Sequence, residues 1–268
     1  MEKPGDIIQD LLTKTTQQEP SSWFCKPHRR EVPDYVVPII AGRTIRRPGE
    51  CPDCKTESEQ TQLAKEVRDR HNAMLMSRLQ AGVPKRYLNA CLADFREDTP
   101  AQQLVGQQVR DFIGGGWRDS PGLLFLGKVG TGKTLLGAAT VNYWLDHYGW
   151  NSARLYTALG LNRRITATWK DSSGETDVMA YQRLRDLPLL VVDEIGVQFG
   201  SPTEHTIFTE IINERYNARH PTILIGNLTI TDLEAALGER VVDRFRDGGH
   251  TLSFTMVIAK RRQKIVKD

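Results

Sequence analysis

Leu123-Leu124-Phe125-Leu126-Gly127-Lys128-Val129-Gly130-Thr131-Gly132-Lys133-Thr134-Leu135-Leu136 carries an apolar run into a glycine-rich turn and out into a helical pattern. The turn fits GxxxxGK(S/T) in its required strand-to-helix context. Gly127, Gly130 and Gly132 let backbone N–H groups converge on phosphate oxygens, and the helix N-terminus that follows adds positive potential. Lys133 is then the bridge to β- and γ-phosphates and Thr134 a ligand of Mg2+, with Lys128, Val129, Thr131 and Leu135 completing the cradle. Further apolar runs at about 153–157, 188–193, 221–227 and 250–255, with helical stretches between them, join the run at 122–127. This alternation is that of an α/β fold with a parallel sheet.

Leu189-Leu190-Val191-Val192 is continuously apolar, as a central strand buried on both faces requires, and ends in Asp193-Glu194. After a phosphate loop this reads as Walker B: Asp193 in the magnesium shell with Thr134, and Glu194 orienting or deprotonating the attacking water. ATP hydrolysis is implied. The strand Thr222–Gly226 ends in Asn227, placed either to sense the γ-phosphate or simply to turn the chain. Arg240 and Arg244 lie at i and i+4 of a helical stretch. One of them suits an arginine finger, which requires a neighbouring subunit; pairing with Asp243 is the plainer alternative.

Upstream, Cys25-x2-His28 and Cys51-x2-Cys54 stand 22 residues apart, a spacing that suits a closed tetrahedral structural zinc site. The segment of about 21–57 is rich in proline and needs such a staple. Arg29, Arg30, Arg43, Arg46 and Arg47 fall within it, open to DNA phosphates or to a protein partner. Residues 1 to about 80 show no convincing strand. Ile7, Ile8, Leu11 and Leu12 form one helical face, and Leu63, Val67, Leu75 and Leu79 a second helix at about 60–80. The expected organisation is a small helical, zinc-binding N-terminal domain at 1–82 and an ATPase domain at 83–268, with the boundary near Gly82-Val83-Pro84. Cys91 reads as a small buried apolar residue and His71 as helix surface. Composition is ordinary for a folded chain, at 39% hydrophobic and 26% charged, and a net charge of +3 names no partner. No apolar run approaches the roughly 20 residues of a membrane helix, and the N-terminus lacks the layout of an export signal, so a cytoplasmic setting is expected.

Together these residues resemble the DnaC-type helicase loaders, AAA+ ATPases related to the IstB transposition proteins and the DnaA initiator. The most specific stretches are LLVVDEIGVQ at 189–198 and LGERVVDRFR at 237–246, with weaker similarity at 4–12 and 72–84. The resemblance implies an ATP-regulated protein that self-associates, binds the hexameric replicative helicase and places it on single-stranded DNA. By the same similarity Asn227 matches sensor 1, Arg244 rather than Arg240 matches the finger, and Lys260, Arg261 and Arg262 stand where a sensor 2 substitute would. DNA contacts then fall to Arg163, Arg164, Trp169 and Lys170, with Trp169 as stacking surface, and to Ser201 and Thr203 after Walker B. The alternatives are an IstB-type regulator of transposition acting on duplex DNA, and a zinc-containing protein adaptor.

Overall fold

Along each buried strand, successive side chains point to opposite faces, so a strand apolar at every position must be covered on both sides. The structure, a computed structural model, describes residues 22–38, 44–169, 174–196, 202–246 and 250–254. The helix expected near residues 7–12, together with Arg43, Lys170, Ser201, Lys260, Arg261 and Arg262, lies outside them. Five strands form one parallel sheet: β5 (Gly122–Gly127), β6 (Ala153–Thr157), β7 (Leu189–Ile195), β8 (Thr222–Gly226) and β9 (His250–Phe254), in the order β6-β7-β8-β5-β9. Each lies within two residues of its expected span.

Leu123, Phe125, Val191, Ile223 and Ile225 face one side and pack on α2 (Pro100–Ile113) and α3 (Lys133–Tyr148), where Val109, Phe112, Leu136, Val141 and Trp144 are buried. Leu124, Leu126, Leu190, Val192 and Leu224 face the other side. There they meet α4 (Ala158–Thr168), α5 (Asp177–Arg185), α6 (Pro202–Asn217), α7 (Ile230–Leu237) and α8 (Glu239–Arg246). Each such side chain contributes roughly 1.5–3 kcal/mol by leaving water. At Gly137, on α3, a Cβ would stand 2.4 Å from Ile225 Cδ1, so glycine sets how closely α3 approaches the sheet.

The N-terminal unit departs from the helical expectation. Its described part holds two antiparallel hairpins, β1 (Ser22–Cys25) with β2 (Arg30–Pro33) and β3 (Tyr35–Pro38) with β4 (Thr44–Arg47). Four-residue strands are too short to show a period, and most of their side chains stay exposed, so no pattern marks them in the sequence. The following helix, α1, starts earlier than expected: it runs Pro52–Gln80, with proline at its first position.

The chain divides into two units between His71 and Asn72, inside α1, rather than at 82–83. The reason is that the end of α1 is already built into the ATPase core. Arg78 is buried and donates to Leu88 O at 2.6 Å and to Asp146 Oδ2 at 2.6 Å; Ala81 O accepts from Leu155 N at 2.7 Å. Asn142, on α3, donates to the carbonyls of Tyr87 at 3.0 Å and Ala90 at 2.9 Å, fixing the segment that leads to Phe95. Among the described residues no helix is long and apolar enough to cross a membrane.

Candidate nucleotide site and cysteine-histidine cluster

The loop between β5 and α3 lies at the carboxyl end of the sheet, where open α/β sheets bind their ligands. Gly127, Gly130 and Gly132 take φ values of +140°, +81° and +92°, conformations that turn backbone N–H groups inward and that side chains resist. At Gly132 a Cβ would also stand 3.1 Å from the ring of Phe95, which packs against the loop from outside. Lys133 is buried. Its Nζ donates to Gly127 O at 2.8 Å, Lys128 O at 2.7 Å and Thr131 Oγ1 at 3.2 Å. Burial lowers its pKa, and Asp193 opposes that shift. A desolvated ammonium held only by neutral oxygens is matched far better by a phosphate, so the loop fits a nucleotide on its own chemistry.

Asp193 is buried at the end of β7 and accepts from the backbone N–H of Glu194 at 2.7 Å. Glu194 is exposed, with φ +61°, where the β7–β8 register shifts between Val192 and Ile195. Asp193 is thus turned inward and Glu194 out, as successive residues of a strand are. Thr134 and Asp193 are the side chains that would hold magnesium. Between β5 and β7 runs β8, paired Leu126↔Gly226 on one side and Ile195↔Gly226 on the other. Asn227 therefore leaves the sheet between the glycine-rich loop and the carboxylates Asp193 and Glu194.

Arg244 is half-buried, with its guanidinium 5.0 Å from the centre of the Tyr216 ring and Nη1 buried without a hydrogen bond. Arg240 is exposed, and Asp243 pairs with Arg246 at 3.0 Å. Arg164 is taken by Glu175, with Nη2 donating to both carboxylate oxygens at 2.6 and 2.7 Å; Arg183 shares Glu175 at 2.8 Å. Arg163 is exposed. Trp169 and Thr203 line one cleft of about 620 Å³, whose other walls include Asp177, Glu210 and Glu214, an acidic lining for a DNA contact. His71 is exposed as expected, whereas Cys91, expected inside, is also exposed, at the cap of a short helical turn where its backbone N–H donates to Asp94 Oδ2 at 2.8 Å.

In the N-terminal unit Cys25, His28, Cys51 and Cys54 bring their ligand atoms within 4.8 Å of one another. The β1–β2 turn carries the first pair; the second stands at the start of α1. His28 Nδ1 lies 3.6, 3.8 and 3.3 Å from the sulfurs of Cys25, Cys51 and Cys54, and Cys25 lies 3.5 Å from Cys54. Zinc–sulfur bonds of about 2.3 Å give a tetrahedron with edges near 3.7 Å, so the donor set fits zinc in spacing and kind. The thiols alone resist a common charge. A backbone hydrogen bond from His28 brings Cys25 down to about 7, while sharing a proton with Cys25 and burial push Cys54 up to about 12. A dication removes that conflict.

Two contributors escaped the sequence reading. His28 Nε2 donates to Glu57 Oε1 at 3.0 Å, which turns Nδ1 toward the sulfurs; the available signal was Glu57 standing three residues after Cys54 on one helix. Gly49 accepts through its carbonyl from Trp23 Nε1 at 2.8 Å, and a Cβ there would lie 2.1 Å from Pro33 O.

The model of the IstB-like ATP binding protein family matches residues 56–253. The chain is 30% identical over 210 residues to the replicative helicase loader DnaC of Buchnera aphidicola subsp. Baizongia pistaciae (strain Bp), spanning 77% of this chain and 84% of that protein. The crystal structure of a DnaC helicase loader superposes with a TM-score of 0.54 at 26% identity, covering 63% of this chain and 99% of the other. AMPPCP-bound DnaA from Aquifex aeolicus shares the fold, with a TM-score of 0.53 at 22% identity over 64% of this chain and 50% of that one. With the glycine-rich loop after β5 and the carboxylates Asp193 and Glu194 both inside the matched residues, the chain is a P-loop ATPase and belongs to the IstB-like ATP-binding protein family.

Proposed function

We propose that this protein loads a hexameric replicative helicase of the DnaB type onto single-stranded DNA, with ATP hydrolysis as the switch between assembly and release. The observation that carries the reading is the similarity to DnaC, which spans 84% of that loader. ATP offers Lys133 a charged partner in place of three neutral oxygens. Magnesium, when bound by Thr134 and Asp193, would neutralise charge developing on the phosphates. Glu194 holds the attacking water, and Asn227 reads the γ-phosphate beside it. Arg244 serves the nucleotide of a neighbouring subunit, which makes nucleotide binding and self-association one event. In this reading Arg163, Trp169 and Thr203, with Lys170 and Ser201, meet the DNA strand, and the protein works in the cytoplasm. The N-terminal cluster holds structural zinc, since four protein donors leave no position open.

The test is capture of the helicase by the full chain with and without ATP. Lys133→Ala should lose nucleotide binding, whereas Glu194→Gln should bind ATP and stay locked on the helicase. Normal release by Glu194→Gln would refute the switch. The family match also admits a transposition regulator of the IstB kind; preference for duplex over single-stranded DNA, with no helicase capture, would favour it.

A further inference from the structure

The arginines that shape this domain use their donors. Arg215, completely buried, donates through Nε to Thr222 Oγ1 at 2.9 Å and through Nη2 to Pro221 O at 2.7 Å. Arg246, two residues beyond Arg244, pairs with Asp243 at 3.0 Å and with Glu234. Arg244 does neither. Among the described residues it has no hydrogen bond and no ion pair, although its Nη1 is buried. A guanidinium nitrogen withdrawn from water without an acceptor costs free energy, so this one answers to an acceptor that arrives from outside the chain. What the side chain meets instead is the ring of Tyr216, whose centre lies 5.0 Å from the guanidinium carbon.

That ring stands on an anchored turn. Arg215, the residue before it, fastens the last turn of α6 to the carbonyls of Leu184 at 2.5 Å and Leu187 at 2.8 Å as well as to the start of β8. On the facing helix α8, Val241, Val242 and Phe245 are buried in the same core as Ile211 and Ile212 of α6. Both members of the Tyr216–Arg244 pair are therefore carried by backbone that is already fixed. The kind of contact matters as much as its place. A carboxylate partner would orient Arg244 by occupying its N–H groups and cancelling its charge. A ring face attracts the flat of the guanidinium, while the five N–H donors point outward in its plane.

We propose that Tyr216 is the positioning residue of the arginine finger: its ring holds Arg244 in place for the γ-phosphate of a neighbouring subunit's ATP and leaves the N–H donors free to meet it. The inference rests on the finger reading of Arg244 given above, and Tyr216 itself touches no nucleotide.

The test is steady-state ATP hydrolysis by the full chain over a range of protein concentrations, for wild type, Tyr216→Phe, Tyr216→Leu, Arg244→Ala and the double variant Tyr216→Leu/Arg244→Ala. ATP affinity and urea midpoint are measured on the same preparations. Wild-type activity per molecule should rise with protein concentration, and Arg244→Ala should lower kcat on the order of 1,000-fold. Tyr216→Leu should lower kcat about 10- to 100-fold with ATP affinity unchanged, the effect of a misplaced group and not of a lost binding site. Tyr216→Phe, which keeps the ring face, should stay within about twofold of wild type. The double variant should be no slower than Arg244→Ala alone, because the ring acts through the guanidinium. If Tyr216→Leu lowers the urea midpoint, Tyr216→Met is carried through the same comparison. A wild-type rate for Tyr216→Leu beside a defective Arg244→Ala overturns the proposal and leaves the finger standing. Equal slowing by Tyr216→Leu in both backgrounds also overturns it, by making Tyr216 a part of the fold alone, as does a Tyr216→Phe variant as slow as Tyr216→Leu. A wild-type rate for Arg244→Ala, or wild-type activity independent of protein concentration, refutes the finger reading and the proposal with it.

Discussion

Replacing Arg215 with leucine removes a guanidinium that is completely buried between α6 and the start of β8. Nε donates to Thr222 Oγ1 at 2.9 Å, Nη1 to the carbonyls of Leu184 at 2.5 Å, Arg185 at 3.1 Å and Leu187 at 2.8 Å, and Nη2 to that of Pro221 at 2.7 Å. Burial pushes its pKa down to about 9, so it remains a cation at neutral pH and draws its stabilisation from those acceptors. In the variant, Arg185 O keeps His220 and Pro221 O keeps Leu190 N, and the Thr222 hydroxyl can rotate. The heaviest loss falls on the carbonyls of Leu184 and Leu187. Each buried acceptor without a donor costs about 1–3 kcal/mol, and relief of the cation's desolvation returns part of the sum, for a net loss of about 3 kcal/mol. With a urea m-value of about 2–3 kcal/mol/M, the midpoint should fall by about 1–1.5 M. The readout is tryptophan fluorescence, since Trp144 lies buried in the same domain. Arg215→Lys, which keeps charge but cannot reach five acceptors, should fall too. A midpoint within about 0.3 M of wild type for both variants would show that the acceptors find other partners and that this bookkeeping is wrong.

The remaining expectations concern the two sites. Glu57→Ala frees the His28 ring and should raise the zinc dissociation constant about 10- to 100-fold, measured by competition with a chromogenic chelator; an unchanged constant would remove Glu57 from the site. Gly49→Ala drives a Cβ to 2.1 Å from Pro33 O, so zinc should be released at lower chelator concentration than from wild type, with ATP hydrolysis intact. Gly132→Ala sets a side chain at φ +92° against Phe95; ATP binding should weaken at least tenfold by calorimetry while the urea midpoint moves by less than about 0.5 M.

The ATPase half was legible because its signals are redundant. A strand such as Leu189–Val192 is apolar at every position, and the phosphate loop repeats the message in glycines, lysine and threonine. What escaped were features made by contact rather than by period. The bulge at Glu194 arises from the pairing of β7 with β8, and Arg215 at a helical position looks like any solvated charge until the carbonyls around it are seen. Cys25, His28, Cys51 and Cys54 could be named from spacing, yet the hairpin that carries the first pair could not, since a cross-linked knuckle needs no hydrophobic pattern to hold its strands. The division inside α1 was not legible for a related reason: Gly82-Val83-Pro84 marks the end of α1, but Arg78 and Ala81 already belong to the core beyond it.

The order of strands in the sheet bears on how the molecule is born. β5 is the first strand of its sheet to leave the ribosome, yet its neighbours are β8 and β9: Gly122 pairs with Thr222, and Leu123 with His250. Until those distant stretches are translated, the strand that ends in the phosphate loop has both edges bare, while β6 and β7 can already join. Such long-range closure is slow and leaves sticky surface exposed. A nascent chain stalled before residue 222 would therefore be a target for chaperones, and nucleotide-binding competence would arrive late in synthesis, as one of the final acts of folding.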